Sequence, residues 1–297
     1  MKKWIVAFRL RTLPLALASV AMGGFLAVHA GGFRMEVFLL CCLVTILLQI
    51  LSNLANDYGD SVHGADHAGR LGPSRSVQTG AISSRVMLAA VVLFSVLSLF
   101  SGLLLLWIAL GGAFLQTAVW LVIGLTAIAA AITYTAGSKP YGYMGLGDVS
   151  VIVFFGPVAV LGTVYMITGS LYWQGLLPSF ASGMLAAGVL NLNNIRDIDS
   201  DREAGKFSIP VRFGRKVAVH YHRVLLFGAT GLCTMYSILQ SDVDVYDFLF
   251  VLVLPFFIAI IRAVATLGPV ELDGWLKKMA LSALLFTVLF GIGSMVG

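Results

Sequence analysis

Two short stretches of this chain place oxygen-bearing side chains four residues apart at the end of an apolar run. In the first, Asn53 and Asp57, with Asp60 three residues further, close the run from Glu36 to Leu51. In the second, Asn193, Asp197 and Asp201 close the run from Leu176 to Leu192. Residues three and four apart share one face of a helix. A stripe of carboxylates and amides at the mouth of an apolar helix suits a hard divalent cation such as Mg²⁺, which takes oxygen ligands and keeps positions open for waters and phosphates. The alternative is an acidic helix end dipping into water, and one stretch alone does not separate the two readings. Two Asn-x-x-x-Asp edges, each ending an apolar helix, resemble two halves of one metal site. Asn53, Asp57, Asp60, Asn193, Asp197 and Asp201 are its candidate residues, and the four aspartates carry the chemistry.

Gathering these acids, with Asp66 beside them, in one low-dielectric mouth is unfavourable without cations. Like unit charges 4 Å apart repel by ~4 kcal/mol even at an effective dielectric near 20. Mg²⁺ relieves that repulsion and implies a phosphorylated ligand, while the apolar runs imply that the rest of the ligand favours lipid. A prenyl diphosphate meets both demands. Arg196, next to the second cluster, and Lys139 are placed to hold diphosphate oxygens. Lys139 is equally explained as an ordinary cytoplasmic-side lysine. Stabilised diphosphate is a leaving group, and its departure leaves an allylic cation that aromatic rings can shelter. An electron-rich aromatic acceptor then closes a C–C bond.

The elements that must hold such a site are transmembrane. The 297 residues are 59% hydrophobic and 11% charged, whereas soluble domains carry ~25% charged residues. Long unbroken apolar runs point to helices and not to a barrel. Nine spans are expected, near 13–30, 36–54, 86–112, 117–137, 148–169, 173–194, 220–240, 246–267 and 275–296, all in a single domain, 1–297. With the N-terminus in the cytoplasm and the C-terminus outside, eighteen of the nineteen Lys and Arg residues lie on the cytoplasmic side. Arg34 is the exception, and the outer loop with Asp242, Asp244 and Asp247 has no basic residue. This satisfies the positive-inside rule and puts both acidic stretches on the same side, under two long polar loops that could cap them. The net charge of +5 is therefore topological and does not point to nucleic acid. Cys41, Cys42 and Cys233 lie in apolar runs and read as packing residues. No cleavable leader pattern follows the basic N-terminus.

Four segments carry a family resemblance: RTLPLA at 11–16, LSNLANDYGD at 51–60, ITYT at 132–135 with KPYGY at 139–143 and GLGD at 145–148, and NNIRDIDSDREAG at 193–205. Together they resemble the UbiA-type superfamily of intramembrane aromatic prenyltransferases over essentially the whole chain. Within it they look most like the branch that prenylates 1,4-dihydroxy-2-naphthoate in menaquinone synthesis. The resemblance implies nine helices around a central cavity with a cytoplasmic cap, in the bacterial inner membrane. It implies two Mg²⁺ ions held by Asn53, Asp57, Asn193, Asp197 and Asp201, with Lys139 and Arg196 at the diphosphate. It further implies a polyprenyl diphosphate donor and loss of the acceptor carboxylate to give demethylmenaquinone. The superfamily pattern Asn-Asp-x-x-Asp-x-x-x-Asp fits Asn56, Asp57 and Asp60, but its last position falls on Gly64, with Asp66 nearest. Tyr134 either orients a substrate or packs at a helix end. Asp148 reads as a helix cap, and Arg11 either anchors at headgroups or reaches phosphate. Competing readings are another acceptor, such as 4-hydroxybenzoate, or a secondary transporter. A transporter calls for polar breaks near the midplane, and these clusters sit at helix ends.

Overall fold

A computed structural model describes residues 2–63 and 75–296; Asp66 lies outside them. Among the described residues all regular structure is helical. The long helices are α1 (Leu13–His29), α2 (Met35–Val62), α3 (Ser84–Leu110), α4 (Phe114–Thr133), α5 (Gly147–Thr168), α6 (Leu176–Arg196), α7 (Ile209–Ile238), α8 (Val245–Thr266) and α9 (Pro269–Val296). Eight of these lie in segments long and apolar enough to cross a membrane. The remaining one, α7, is longer than the expected span 220–240 and begins with a basic stretch containing Arg212, Arg215 and Lys216. Gly214, at φ 81°, breaks α7 near its start, so its first turn lies apart from the apolar remainder. α2 also outruns its expected end. It stays helical to Val62, which carries Asn53, Asp57 and Asp60 on one continuous helix.

α6 lies at the centre of the bundle, packed on α5, α7 and α9. Small residues make this possible. A Cβ on Gly183 of α6 would stand 2.3 Å from the carbonyl oxygen of Ile152, and one on Gly156 would stand 2.7 Å from that of Ser179. The backbones of α5 and α6 thus touch, as helices in lipid do when glycine removes the side chain between them. Gly156 and Pro157 sit in a π-helical turn, Phe154–Val158, that kinks α5. One apolar core joins α1, α5, α6, α7, α8 and α9 with the start of α2 at Val37 and Cys41 and the end of α3 at Leu105 and Leu106, and a second joins the short N-terminal helix Lys2–Phe8 to α2 and α3. α4 packs on α2 and α3 and has no buried residue.

Candidate active site

The N-terminal segment and the connections after α2, α4, α6 and α8 all meet at one end of the bundle, where both acidic stretches also lie. On α2, Asp60 accepts a hydrogen bond from the Tyr143 phenol at 2.7 Å and pairs with Arg75. Asp57 accepts from the Ser76 amide at 3.2 Å. Asn53 is used differently. Its amide nitrogen donates to the Phe8 carbonyl at 3.0 Å and to the Thr12 hydroxyl at 3.1 Å, tying down the bend that brings Arg9 to the mouth. Arg9 itself sits at φ 48°, an uncommon left-handed conformation for a side chain of this size. Gly59 lets the 134–146 connection approach, since a Cβ there would lie 2.5 Å from the Thr135 backbone, and Thr135 donates to the Ala55 carbonyl.

On α6 the helix pauses at Asp197 and resumes as the short helix Ile198–Glu203, yet the amides of Asp197 and Asp201 still bond back to Asn193 and Asp197. The guanidinium of Arg196 is fully occupied. Nε and Nη2 grip both oxygens of Asp197 at 2.8 and 2.7 Å, Nη2 also donates to Asn193 Oδ1 at 2.8 Å, and Nη1 reaches Asp273 of α9 at 2.6 Å. Asp201 pairs with Lys206 at 3.3 Å. Burial pushes the Asp201 carboxyl above the ordinary range against the pull of Lys206, and neighbouring Asp197 and Asp60 add to the rise. Burial alone would lower the Lys206 amine. Asp201, the Tyr134 phenol, Asp60 and Asp197 around it outweigh that and hold it above the ordinary lysine range.

Each acid therefore faces a cation or an N–H, but two oxygens do not. Asp57 Oδ1 and Asp201 Oδ2 are buried without a hydrogen-bond partner. A buried carboxylate oxygen left unpaired is costly, and a cation at the mouth is the simplest partner for it. Among the described residues no three Asp, Glu, His or Cys side chains converge on one point. The mouth is thus not an all-protein cage. It fits Mg²⁺, which uses one or two carboxylates and completes its shell with waters and substrate phosphates.

Below the mouth lies a cavity of about 420 Å³. Arg9, Arg11, Arg75, Lys206 and Asn193 line its charged end, and Tyr134 and Tyr141 follow. Phe154, Phe155, Leu106 and Trp120 line the apolar depth. A second space of about 360 Å³, between the N-terminal segment and Asp57, Asn193 and Arg196, continues the mouth outward. Of the residues expected from sequence, Asp57, Asp60, Asn193, Asp197, Asp201, Arg196 and Tyr134 gather here. Asn53 is turned to the N-terminal bend, and Lys139 is exposed in its loop and lines neither cavity. The sequence reading passed over Arg9, Arg75, Tyr143, Lys206 and Asp273. Lys206 had a signal in its place just after the second acidic stretch. Asp273 had none.

This combination of an all-helical bundle, a cation-lined mouth and an apolar chamber defines an intramembrane protein built to hold an anionic headgroup on a lipidic tail. The chain belongs to the UbiA prenyltransferase family, whose model matches residues 16–285. It is 43% identical to the 1,4-dihydroxy-2-naphthoate octaprenyltransferase of Haemophilus influenzae over 100% of this chain and 97% of the relative. It is 42% identical to the protein of the same name from Escherichia coli, over 98% of this chain and 94% of the relative. Among solved structures, its fold matches a UbiA homolog from Aeropyrum pernix at a TM-score of 0.66 and 20% identity, covering 97% of this chain and 98% of that one. It also matches a UbiA homolog from Archaeoglobus fulgidus bound to DMAPP and Mg²⁺, at a TM-score of 0.65 and 17% identity over 99% of each chain.

Proposed function

We propose that this protein transfers a polyprenyl group from polyprenyl diphosphate to 1,4-dihydroxy-2-naphthoate, releasing diphosphate and CO₂ and forming demethylmenaquinol, the reduced form of demethylmenaquinone. The observation that carries the reading is the pair of unpartnered carboxylate oxygens, Asp57 Oδ1 and Asp201 Oδ2, in a cation-rich mouth directly above an apolar chamber. Near-full-length identity to relatives of that activity supports the acceptor and an octaprenyl donor.

The residues divide the work. Asp57, Asp60, Asp197 and Asp201 would hold Mg²⁺, with Asn193 beside them, and bound Mg²⁺ would neutralise the diphosphate and make it a better leaving group. Arg9, Arg75 and Lys206 line the same mouth and supply N–H donors toward the departing oxygens. The C–O bond to the allylic carbon breaks, and its electron pair leaves with diphosphate. Tyr134 and Tyr141, ring centroids 5.4 Å apart in an edge-to-face pair, border the chamber and supply aromatic surface that would shelter the allylic cation. The naphthoate ring carbon bearing the carboxylate attacks, and the electron pair of the carboxylate bond restores the ring as CO₂ leaves.

The protein is read as a single domain in the bacterial inner membrane, with the mouth and N-terminus on the cytoplasmic side and the C-terminus outside, as the basic residues suggest. The deciding assay incubates membranes with labelled polyprenyl diphosphate, Mg²⁺ and either 1,4-dihydroxy-2-naphthoate or 4-hydroxybenzoate, with products identified by mass. A prenylated, decarboxylated naphthoquinol is expected. Product only with 4-hydroxybenzoate would move the chain to another acceptor. Counterflow uptake without any covalent product would revive the transporter reading.

A further inference from the structure

The apolar depth of the chamber has a graded wall. α4 borders it from Tyr134 at the mouth to Trp120 at the far end. Between them stands Gly124, and Gly102 on the neighbouring helix α3 lines the same chamber. A Cβ on either would meet nothing within 4 Å, so packing does not require glycine at these positions, and their effect is to widen the chamber. Trp120 does the opposite. Its indole crosses to α5, lies 5.2 Å from the Tyr165 ring and fits against Gly162, where a Cβ would stand 3.2 Å from it. α4 does not otherwise pack broadly on α5, so this indole closes the gap between them at depth.

The spacing can be set against a prenyl tail. At 1.5 Å per residue, Gly124 lies ~15 Å and Trp120 ~21 Å below Tyr134 along the helix. An extended peptide covers ~3.5 Å with three main-chain bonds, so an isoprene unit with four covers roughly 4.7 Å. About three units then reach the level of Gly124, and between four and five reach Trp120, by the same scaling. An eight-unit tail is longer than the chamber and must leave it sideways before Trp120.

We propose that Gly124 and Trp120 are the residues that set donor-length selectivity, Gly124 by leaving room for the fourth and later units and Trp120 by ending the straight path. This rests on the prenyl-transfer reading above. The test compares kcat/KM for farnesyl, geranylgeranyl and octaprenyl diphosphates on the purified full chain. Trp120→Ala should raise the octaprenyl-to-farnesyl ratio by about tenfold, the low end of what a mis-sized apolar contact is worth. Gly124→Leu should leave farnesyl turnover near wild type and lower both longer donors by a similar factor. Gly102→Leu, on the neighbouring helix α3, should repeat the Gly124→Leu pattern and serves if Trp120→Ala does not fold. Ratios unchanged in the leucine variants, or equal losses for all three donors, would overturn the proposal. Absence of product from wild type with every donor would instead sink the prenyl-transfer reading itself.

Discussion

Arg196 on α6 and Asp273 on α9 meet at 2.6 Å, and Arg11 ahead of α1 reaches the same carboxylate at 3.1 Å. The Arg196 guanidinium is almost fully buried, whereas the Asp273 side chain is one-third exposed. One carboxylate at the rim therefore links three segments and shares the guanidinium that grips Asp197. Arg196 in this arrangement orients Asp197 more directly than it could receive diphosphate. Asp273→Ala should leave Asp197 as the sole carboxylate partner of Arg196, with Asn193 still bonded to it, so that a metal competes with a more tightly held pair. The Mg²⁺ concentration for half-maximal prenyl transfer should rise by about tenfold, in line with ~1.5 kcal/mol for a hydrogen bond to a charged group. Asp273→Glu should recover part of it. A Mg²⁺ titration identical to wild type would remove Asp273 from the site.

The unpartnered oxygens of Asp57 and Asp201 predict a strict metal requirement. Asp57→Asn or Asp197→Asn should lower turnover by two orders of magnitude or more, comparable with the ~10²–10³ lost when one charge-stabilising group is removed elsewhere. EDTA should abolish activity and added Mg²⁺ restore it. The raised carboxyl of Asp201 gives this requirement a pH sign. A carboxylate must lose its proton to bind metal, and a raised pKa keeps that proton on to higher pH. The Mg²⁺ needed for half-maximal transfer should therefore rise as the pH is lowered into the Asp201 titration; a requirement that falls with falling pH would contradict the role of Asp201.

Two lysines separate the sequence reading from the geometry. Lys206 is buried at the charged end of the chamber, while Lys139 stands in solvent. Lys206→Gln should reduce kcat/KM for the donor by about 10- to 100-fold, in line with the ~1.5–3 kcal/mol of a hydrogen bond to a charged group. Lys206→Arg should retain more. Lys139→Gln should stay near wild type. Reversed effects would restore Lys139 to the site.

These contrasts show what the sequence could carry. Apolar run lengths and the placement of Lys and Arg depend on one element at a time, so the helical bundle and its shared polar end were readable from them. The stripes Asn53–Asp57–Asp60 and Asn193–Asp197–Asp201 were readable for the same reason, because helical period alone sets them. Arg75, Tyr143 and Asp273 were not. Arg75 and Tyr143 reach the mouth from loops and Asp273 from a distant helix, and no local pattern encodes which carboxylate or guanidinium each will find. Asn53 shows the converse. It has the right spacing for the metal stripe, yet its amide holds Phe8 and Thr12, because the bend at Arg9 needs those bonds.

The α5–α6 crossing gives a stability prediction that is independent of chemistry. Gly183→Ala would put a methyl 2.3 Å from the Ile152 carbonyl oxygen, part of a backbone that cannot rotate away. The helices must separate at the π-helical kink, which also supports the chamber wall at Phe154 and Phe155. Overpacking of this kind costs ~1–3 kcal/mol. Gly231→Ala on α7 is the matched control, since a Cβ there meets nothing within 4 Å. Replacing an unstrained helical glycine removes unfolded-state entropy and should stabilise by ~0.4–1 kcal/mol. Thermal denaturation in detergent should lower the melting temperature for Gly183→Ala and raise it slightly for Gly231→Ala. Because the kink carries chamber residues, Gly183→Ala should also lose prenyl transfer at temperatures where it remains folded, whereas Gly231→Ala should keep it. Equal behaviour of the two variants would mean that the close backbone approach of α5 and α6 does not constrain the protein.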